Sequence, residues 1–210
     1  ERPQQYNGKF RIVTLQEVSR GRLIDGATDL PAWLSRRLGL PYVFNGTTDP
    51  GWGNAILSRY PIVAHGWGRL PLAGTLLARG FLWAEVEVGA AEPLLVIATH
   101  LHHVESEHGP RLEQVPVLLR FWDGRPNALL MGDLNSEPGY PEMDLTAQAG
   151  MIDSWAEAGE GEGLTWPARG PFERIDWIWH SPDLAALEIE VVQSAAPDHL
   201  GVLAPTDAAP

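Results

Sequence analysis

The stretch FLWAEVEVGAAEPLLVIATH, residues 81–100, alternates apolar and polar side chains in its first half and is continuously apolar near its end. Small and turn-forming residues, Gly89 to Pro93, separate the two halves. Alternation with a period of two predicts a strand with one buried face, and a short unbroken apolar run predicts a fully buried strand. We therefore expect a β-hairpin whose second strand runs directly into His100.

Further strands and helices are predicted on both sides of this hairpin. The other strands are expected at residues 10–16, 53–58, 62–64, 127–131, 175–180, 187–192 and 202–204. Helices are expected at 30–38, with Asp29 as N-cap and Gly39 as terminator, at 111–122, with a kink or later start because of Pro116, and at 142–149. Strands outnumber helices and are mostly joined by short turns. This pattern favours two mixed sheets packed face to face with helices outside, in one domain spanning residues 1–210.

Composition narrows the class of protein. The chain has 210 residues, of which 44% are hydrophobic and 20% are charged, so intrinsic disorder is excluded. The sequence contains no apolar run long enough for a transmembrane helix. The absence of cysteine excludes disulfides, thiol catalysis and cysteine-ligated zinc, but it leaves the compartment open.

The net charge of −12 bears on the partner. Affinity for nucleic acid rests largely on neutralising phosphates, so an acidic chain is disfavoured as a nucleic-acid-binding protein. A small phosphorylated substrate, or a lipid headgroup reached by loops, fits the charge better. Acidic side chains are also suited to holding a hard cation such as Mg²⁺.

Polar side chains recur where predicted strands end. Glu17, His100 and Asp133 with Asn135 follow predicted strands, Asp176 lies within the strand at 175–180, and Asp198 with His199 precedes the last strand. Each has a structural alternative: a solvated strand end for Glu17, a turn for Asp133 to Asn135, a satisfied core histidine for His100, and a salt bridge to Arg174 for Asp176. Turn formation does not require acids and histidines at every strand end, so their joint occurrence favours a site.

Six segments resemble the signatures of the endonuclease/exonuclease/phosphatase superfamily, in the order found there. They are LQEV (15–18), WGNAILSRYPI (52–62), THL (99–101), GDLNSEP (132–138), RIDWIW (174–179) and DHLGV (198–202). The resemblance spans nearly the whole chain. It implies a four-layer α/β sandwich of the DNase I-like fold, a divalent-metal site, and hydrolysis of a phosphoester or phosphodiester.

The same resemblance implies roles for individual residues. Glu17 would ligate Mg²⁺ or Mn²⁺, and Asp198 would approach the same ion. Asp133 would orient and deprotonate the attacking water, and Asn135 would hold water and phosphate. His199, fixed by Asp176, and His100 would contact the phosphate, while Asn54 and Arg79 would line the substrate pocket. Apart from the resemblance, Trp52 is expected to lie in a loop near the site, where its ring could contact the substrate.

One departure from the family concerns its first strand and helix, which carry a metal-contacting Asn. Only sixteen residues precede Glu17, and Asn7 is followed by glycine as in a turn, so we expect an N-terminally truncated domain that lacks this strand. Residues 33–62 also resemble the soluble domain of bacterial membrane proteins related to proteins that remodel GPI-anchor lipids. That likeness implies a membrane-anchored parent protein.

Three functions remain open at this point. The first is a metal-dependent phosphohydrolase acting on a small or lipid-linked phosphoester. The second is a nuclease of the same fold. The third is a binding module that has lost turnover.

Overall fold

The computed structural model describes residues 11–192 and 198–204. The strands are β1 (Ile12–Ser19), β2 (Tyr42–Asp49), β3 (Trp52–Ser58), β4 (Ile62–Arg69), β5 (Gly80–Val86), β6 (Leu94–His100), β7 (Ala128–Asp133), β8 (Ile152–Asp153), β9 (Asp176–His180), β10 (Glu190–Val192) and β11 (Gly201–Leu203). The α-helices are α1 (Leu30–Leu38), α2 (His108–Trp122), α3 (Pro141–Gln148) and α4 (Ser154–Ala158), and a short 3₁₀ helix covers Leu23–Asp25.

Two main sheets form the body of the protein. The larger has the strand order β4-β5-β6-β7-β9-β8, and its β6 and β7 are parallel while its other pairs are antiparallel. The smaller has the order β1-β3-β2, and β10 pairs with β11 in a separate ribbon. The predicted pair of sheets packed face to face is confirmed; the larger sheet is mixed, and the smaller is antiparallel throughout.

Three apolar clusters define four layers. One lies between the sheets and contains Ile56 of β3 with Leu82 and Val96 of β5 and β6. A second packs α1 onto the outer face of the small sheet. The third packs α2 and α3 onto the outer face of the large sheet, where the stacked rings of Trp177 and Trp179 lie 5.1 Å apart. The layers are thus helix, sheet, sheet and helix, an α/β sandwich.

Most predicted elements are found, with shifted ends. The hairpin of residues 81–100 is β5 and β6, and Asp29 caps α1 by accepting a hydrogen bond from the Ala32 amide at 2.9 Å. Helix α2 begins at His108 and contains Pro116, so the predicted later start was wrong. The predicted end of β1 before Glu17 was also wrong, because β1 continues to Ser19. Strand β2, with its glycine and polar residues, was not predicted.

The outer edge of β1 pairs with none of the strands in the described residues. A groove of about 580 Å³ runs between this edge and β11, and it reaches Asp176 and His199. An unpaired edge is what a missing first strand would leave, but residues 1–10 lie outside the described part of the chain, so that expectation stays a prediction. Within the described residues, no helix has the length and apolarity that crossing a bilayer requires.

Candidate active site

Three neighbouring strands of the large sheet place polar side chains next to one another at one edge of the sheet. Strands β6 and β7 are parallel and end together, so His100 lies opposite Asp133. Strand β9 runs antiparallel to β7 and begins there, so Asp176 lies opposite Asp133 on the other side. Three residues that are distant in sequence therefore become neighbours at one sheet edge.

Gly132 allows β7 to approach β6 closely just before Asp133. Its φ of 145° lies outside the range that other residues adopt easily, and a Cβ atom would overlap the backbone carbonyl oxygen of Thr99. Because residue 132 is glycine, β7 can lie this close to β6. A larger residue at this position would push the strands apart and displace the Asp133 carboxylate.

Glu17 is aimed by a β-bulge in the small sheet. The pairing of β1 with β3 shifts between Leu15 and Val18, so two residues of β1 oppose one of β3. Glu17 itself has a φ of 53°, an uncommon value for a residue other than glycine. Strained backbone of this kind is often found at functional sites. The bulge is what the sequence prediction of a simple strand end missed.

A chain of contacts joins Glu17 to Asp133 through Arg79 and His100. The Arg79 Nη1 donates to His100 Nδ1 at 3.1 Å and lies 3.8 Å from Glu17 Oε1. Because Nδ1 accepts this hydrogen bond, the proton of a neutral His100 ring is assigned to Nε2, which lies 3.2 Å from Asp133 Oδ2. Arg79 and His100 are both buried, whereas about half of the Glu17 side chain is exposed.

His199 completes the cluster from the segment before β11. Its Nδ1 donates to Asp176 Oδ2 at 2.8 Å, and its Nε2 lies 3.9 Å from Asp133 Oδ2. The Asp176 carboxylate thus holds the His199 ring, and the second ring nitrogen, Nε2, is directed toward the Asp133 carboxylate. The structure brings together Glu17, Arg79, His100, Asp133, Asp176 and His199.

Burial and charge shift the pKa values of these groups in different directions. Burial raises the pKa of Asp133 to about 7, the charge of Asp176 adds to the rise, and His199 opposes it. Burial alone would lower the pKa of His199, but the hydrogen bond and charge of Asp176 outweigh it and raise this pKa to about 9. Burial lowers the pKa of His100 well below its ordinary value, and the positive charge of Arg79 lowers it further. Near neutral pH, the His100 ring is therefore neutral and the His199 ring is positively charged.

Asn135 and Asp198 lie at the rim of this cluster. The Asn135 amide donates to Asp133 Oδ1 at 2.9 Å, and its side chain donates to the Leu101 carbonyl at 3.4 Å. Asp198 is close enough for its charge to raise the pKa values of both Glu17 and His199. Its backbone carbonyl accepts a hydrogen bond from the amide of Ala168 at 2.7 Å.

The three residues predicted to bind substrate have different positions. Arg79 is in the cluster. Asn54 is 2% exposed and donates to the Gly80 carbonyl at 3.2 Å, which positions the backbone next to Arg79. Trp52 was predicted to lie in a loop, but it is the first residue of β3 and pairs with Ser19 and Asp49, so that prediction was wrong. The alternative pairing of Asp176 with Arg174 is also wrong, because Arg174 pairs with Asp153 at 2.6 Å.

A buried ion pair behind the site was not predicted. Arg111 and Glu142 are both fully buried and meet at 2.5 Å. Arg111 also donates to the backbone carbonyls of His102 and Val104, and Glu142 accepts from the Ser136 hydroxyl. The pair therefore ties the loop after His100 to the loop after Asp133. The only signal in the sequence was an arginine and a glutamate near the starts of two predicted helices.

The acidic side chains on the exposed side of the site determine which cation could bind there. Among the described residues, no three His, Asp or Glu side chains are grouped so that they could hold a metal ion on their own. Mg²⁺, however, keeps several of its waters and often binds through only one or two carboxylates. Glu17 and Asp198 provide two acidic groups beside an exposed face, and they therefore fit a largely hydrated hard cation.

Comparisons with known proteins show which family the sequence resembles. A sequence profile described as the Endonuclease/Exonuclease/phosphatase family matches residues 7–207. An inositol phosphosphingolipids phospholipase C of Saccharomyces cerevisiae is 27% identical over 189 residues, which is 80% of this chain and 39% of that protein. The chain thus spans well under half of the yeast relative.

Solved structures show the same fold. An endonuclease/exonuclease/phosphatase from Beutenbergia cavernae superposes with a TM-score of 0.72 at 24% identity, covering 92% of this chain and 61% of the other. A family protein from Bacteroides thetaiotaomicron superposes with a TM-score of 0.77 at 21% identity, covering 94% of this chain and 83% of the other. Both likenesses concern the fold alone.

Proposed function

Because this chain belongs to the endonuclease/exonuclease/phosphatase family, we propose that it hydrolyses a phosphoester or phosphodiester bond with the help of a divalent metal ion. The observation that carries the proposal is the chain of contacts from Glu17 to His199 at one edge of the two sheets. These contacts connect the Asp133 carboxylate, which is suited to act as a general base, with the His199 imidazolium, which is suited to stabilising phosphoryl oxygens.

Asp133 is the proposed general base. With its pKa raised to about 7, it accepts a proton more readily than an ordinary aspartate does, while a large fraction of it is ionised near neutral pH. The amide of Asn135 and the His100 ring hold its two oxygens, so the carboxylate has a fixed direction. In this role it orients a water molecule and removes its proton as the water attacks phosphorus.

His199 is the proposed donor to the phosphate. It is an imidazolium near neutral pH, and its Nε2–H is free of the Asp176 hydrogen bond, which uses Nδ1. A cationic donor placed at oxygens where charge builds up stabilises the transition state. Asp176 is then a positioning residue that fixes both the ring and its charge. Asn135 is proposed as a further phosphate contact. His100, whose Nδ1 accepts from Arg79 and whose Nε2–H is directed at Asp133, is proposed to act by positioning the Asp133 carboxylate.

The metal is proposed to lie on the Glu17 side. Glu17 and Asp198 would hold Mg²⁺ or Mn²⁺, and the bound ion would neutralise charge on the phosphoryl oxygens. Since Arg79 lies beside Glu17, the guanidinium keeps this carboxylate directed into the site. Its positive charge also lowers the pKa of Glu17 and so offsets part of the rise that burial causes.

The substrate is proposed to be a small or lipid-linked phosphoester rather than a nucleic acid. The chain carries 27 acidic and 15 basic residues, which disfavours the many phosphate contacts of nucleic-acid binding. The name of the yeast relative refers to an inositol phosphosphingolipid, in which the phosphate is attached to a lipid.

Turnover of bis-p-nitrophenyl phosphate with Mg²⁺ or Mn²⁺ tests this proposal. We expect p-nitrophenol release that EDTA abolishes and that Asp133→Asn lowers on the order of 10²–10⁴-fold. Release that survives EDTA would contradict the metal requirement, and the absence of turnover on any phosphoester would favour a binding module. Efficient cleavage of DNA at physiological salt, with no turnover of small phosphoesters, would overturn the proposed substrate class.

A further inference from the structure

Large apolar side chains are exposed on three loops that border the proposed site. Leu23 and Ile24 in the 3₁₀ helix are 88% and 82% exposed, and Leu76 between β4 and β5 is 99% exposed. Phe172, between α4 and β9, is 60% exposed. Side chains of this size are rarely left so open when they serve packing alone, and clusters of them mark interaction surfaces.

Each loop is attached directly to a residue of the site. The loop with Leu23 and Ile24 follows β1, which carries Glu17. The loop with Leu76 leads into Arg79. The loop with Phe172 is held against Asp198 by the hydrogen bond from Ala168, and the Phe172 ring packs edge-on against Trp166 at 5.4 Å. The exposed residues therefore lie on loops that are connected directly to residues of the proposed site.

The end of β2 joins the first two loops. Its Asp49 pairs with Arg22 at 3.2 Å, and its Thr48 hydroxyl donates to the Ala78 carbonyl at 3.1 Å. These two loops form one rim with aliphatic tips, which we call the apolar rim and define as Leu23, Ile24 and Leu76.

Beside the apolar rim, two arginines pair with three aspartates, which leaves one net negative charge. Arg20 pairs with Asp29 at 3.7 Å, and Arg22 pairs with both Asp25 at 3.4 Å and Asp49. The loop thus presents bare aliphatic side chains with no net excess of positive charge. Such a surface suits an electrically neutral, apolar medium and is unsuited to binding acidic headgroups.

We propose that the apolar rim inserts into a phospholipid bilayer and brings the site to substrates held in the membrane. The inference rests on the proposed function, because it places a lipid-linked phosphoester beside the phosphate-binding groups. A bilayer fits better than a protein partner, since the exposed residues sit on separate loop tips and a deformable medium can surround each tip. A net charge of −12 makes neutral headgroups the expected surface.

Binding to vesicles of pure phosphatidylcholine, measured by sedimentation in EDTA so that no turnover occurs, tests the inference. A buried Leu or Ile side chain contributes about tenfold to affinity, so the double variant Leu23→Asp/Ile24→Asp should bind about 100-fold more weakly. Leu187→Asp is the matched control, because Leu187 is 62% exposed and lies near α4, away from the site end of β9. It should bind like the unchanged protein.

The outcomes separate this inference from the proposed function. Loss of vesicle binding in the double variant, with unchanged turnover of bis-p-nitrophenyl phosphate, supports the inference. Failure of the unchanged protein to bind, equal weakening by Leu187→Asp, or tighter binding when phosphatidylglycerol is added would overturn it while leaving phosphoester hydrolysis standing. Vesicle binding without turnover of any phosphoester would instead contradict the proposed function.

Discussion

Replacement of Asp176 by Asn separates the charge of this residue from its hydrogen bond. The asparagine carbonyl can still accept from His199 Nδ1, so the ring keeps its partner at the 2.8 Å contact. The negative charge that helps raise the pKa of His199 to about 9 is removed. The pKa should therefore fall toward the ordinary histidine value near 6.5, and Asp133 and Asp198 would retain part of the rise.

The size of the effect follows from the fraction of imidazolium. At about pH 8, a group with a pKa of about 9 is roughly 90% protonated, and one with a pKa near 6.5 is about 3% protonated. Turnover that requires the imidazolium should then drop by up to about 30-fold at pH 8. At about pH 6 both forms are mostly protonated, so the variant should approach the unchanged protein.

The assay is the pH dependence of kcat/KM for bis-p-nitrophenyl phosphate, combined with NMR titration of the histidine rings. Glu157→Gln is the matched control, because Glu157 contacts His180 Nε2 at 2.9 Å in the same kind of carboxylate–histidine pair, outside the site. The control should keep the original profile. A loss in the Asp176→Asn variant that is equal at pH 6 and pH 8 would refute the reasoning, because it would mean that Asp176 acts without setting the charge of His199.

Three further predictions concern the metal, the framework and the sheet. Glu17→Gln should raise the Mn²⁺ concentration needed for half-maximal turnover by at least about tenfold, as measured by a metal titration. An unchanged midpoint would show that Glu17 does not bind the metal. Arg111→Met removes the buried guanidinium from the Glu142 carboxylate, which keeps only the partly exposed His108 ring and the Ser136 hydroxyl as partners, and should cost about 3–5 kcal/mol of unfolding free energy. Replacing both Arg111 and Glu142 by apolar residues should cost much less; thermal unfolding compares the two, and equal losses would contradict the paired role. Gly132→Ala should lower both the melting temperature and the turnover rate, because the added Cβ atom meets the Thr99 carbonyl oxygen. An unchanged melting temperature and rate would show that β6 and β7 can accommodate a methyl group here.

The sequence predicted the hairpin and the strands that lead into His100 and Asp133 because local patterns determine them, although several strand ends were shifted. The alternation in residues 81–88, the apolar run before His100 and the short strand before Asp133 each produced the expected element. The site residues could be proposed because acids and histidines follow several of these strands. Their neighbourhood depends on the register of β6, β7 and β9, which was not read from the sequence.

Other features depend on contacts between distant residues and could not be predicted. The bulge at Glu17 arises from the pairing of β1 with β3, and the sequence of β1 alone does not show it. Strand β2 is rich in polar and glycine residues, and it exists because β3 offers it a partner. The Arg111–Glu142 pair joins two helices, and single-residue patterns give no sign that both charges are buried.

The most direct test of the account is a double-mutant cycle between Asp133 and His199 in the turnover of bis-p-nitrophenyl phosphate. The two side chains lie 3.9 Å apart and are proposed to act in the same step. Groups that act as a unit are strongly non-additive, so the account predicts that Asp133→Asn combined with His199→Gln loses little more activity than the worse single variant. Losses that simply multiply would contradict it, because they would show two groups working independently and not one catalytic centre.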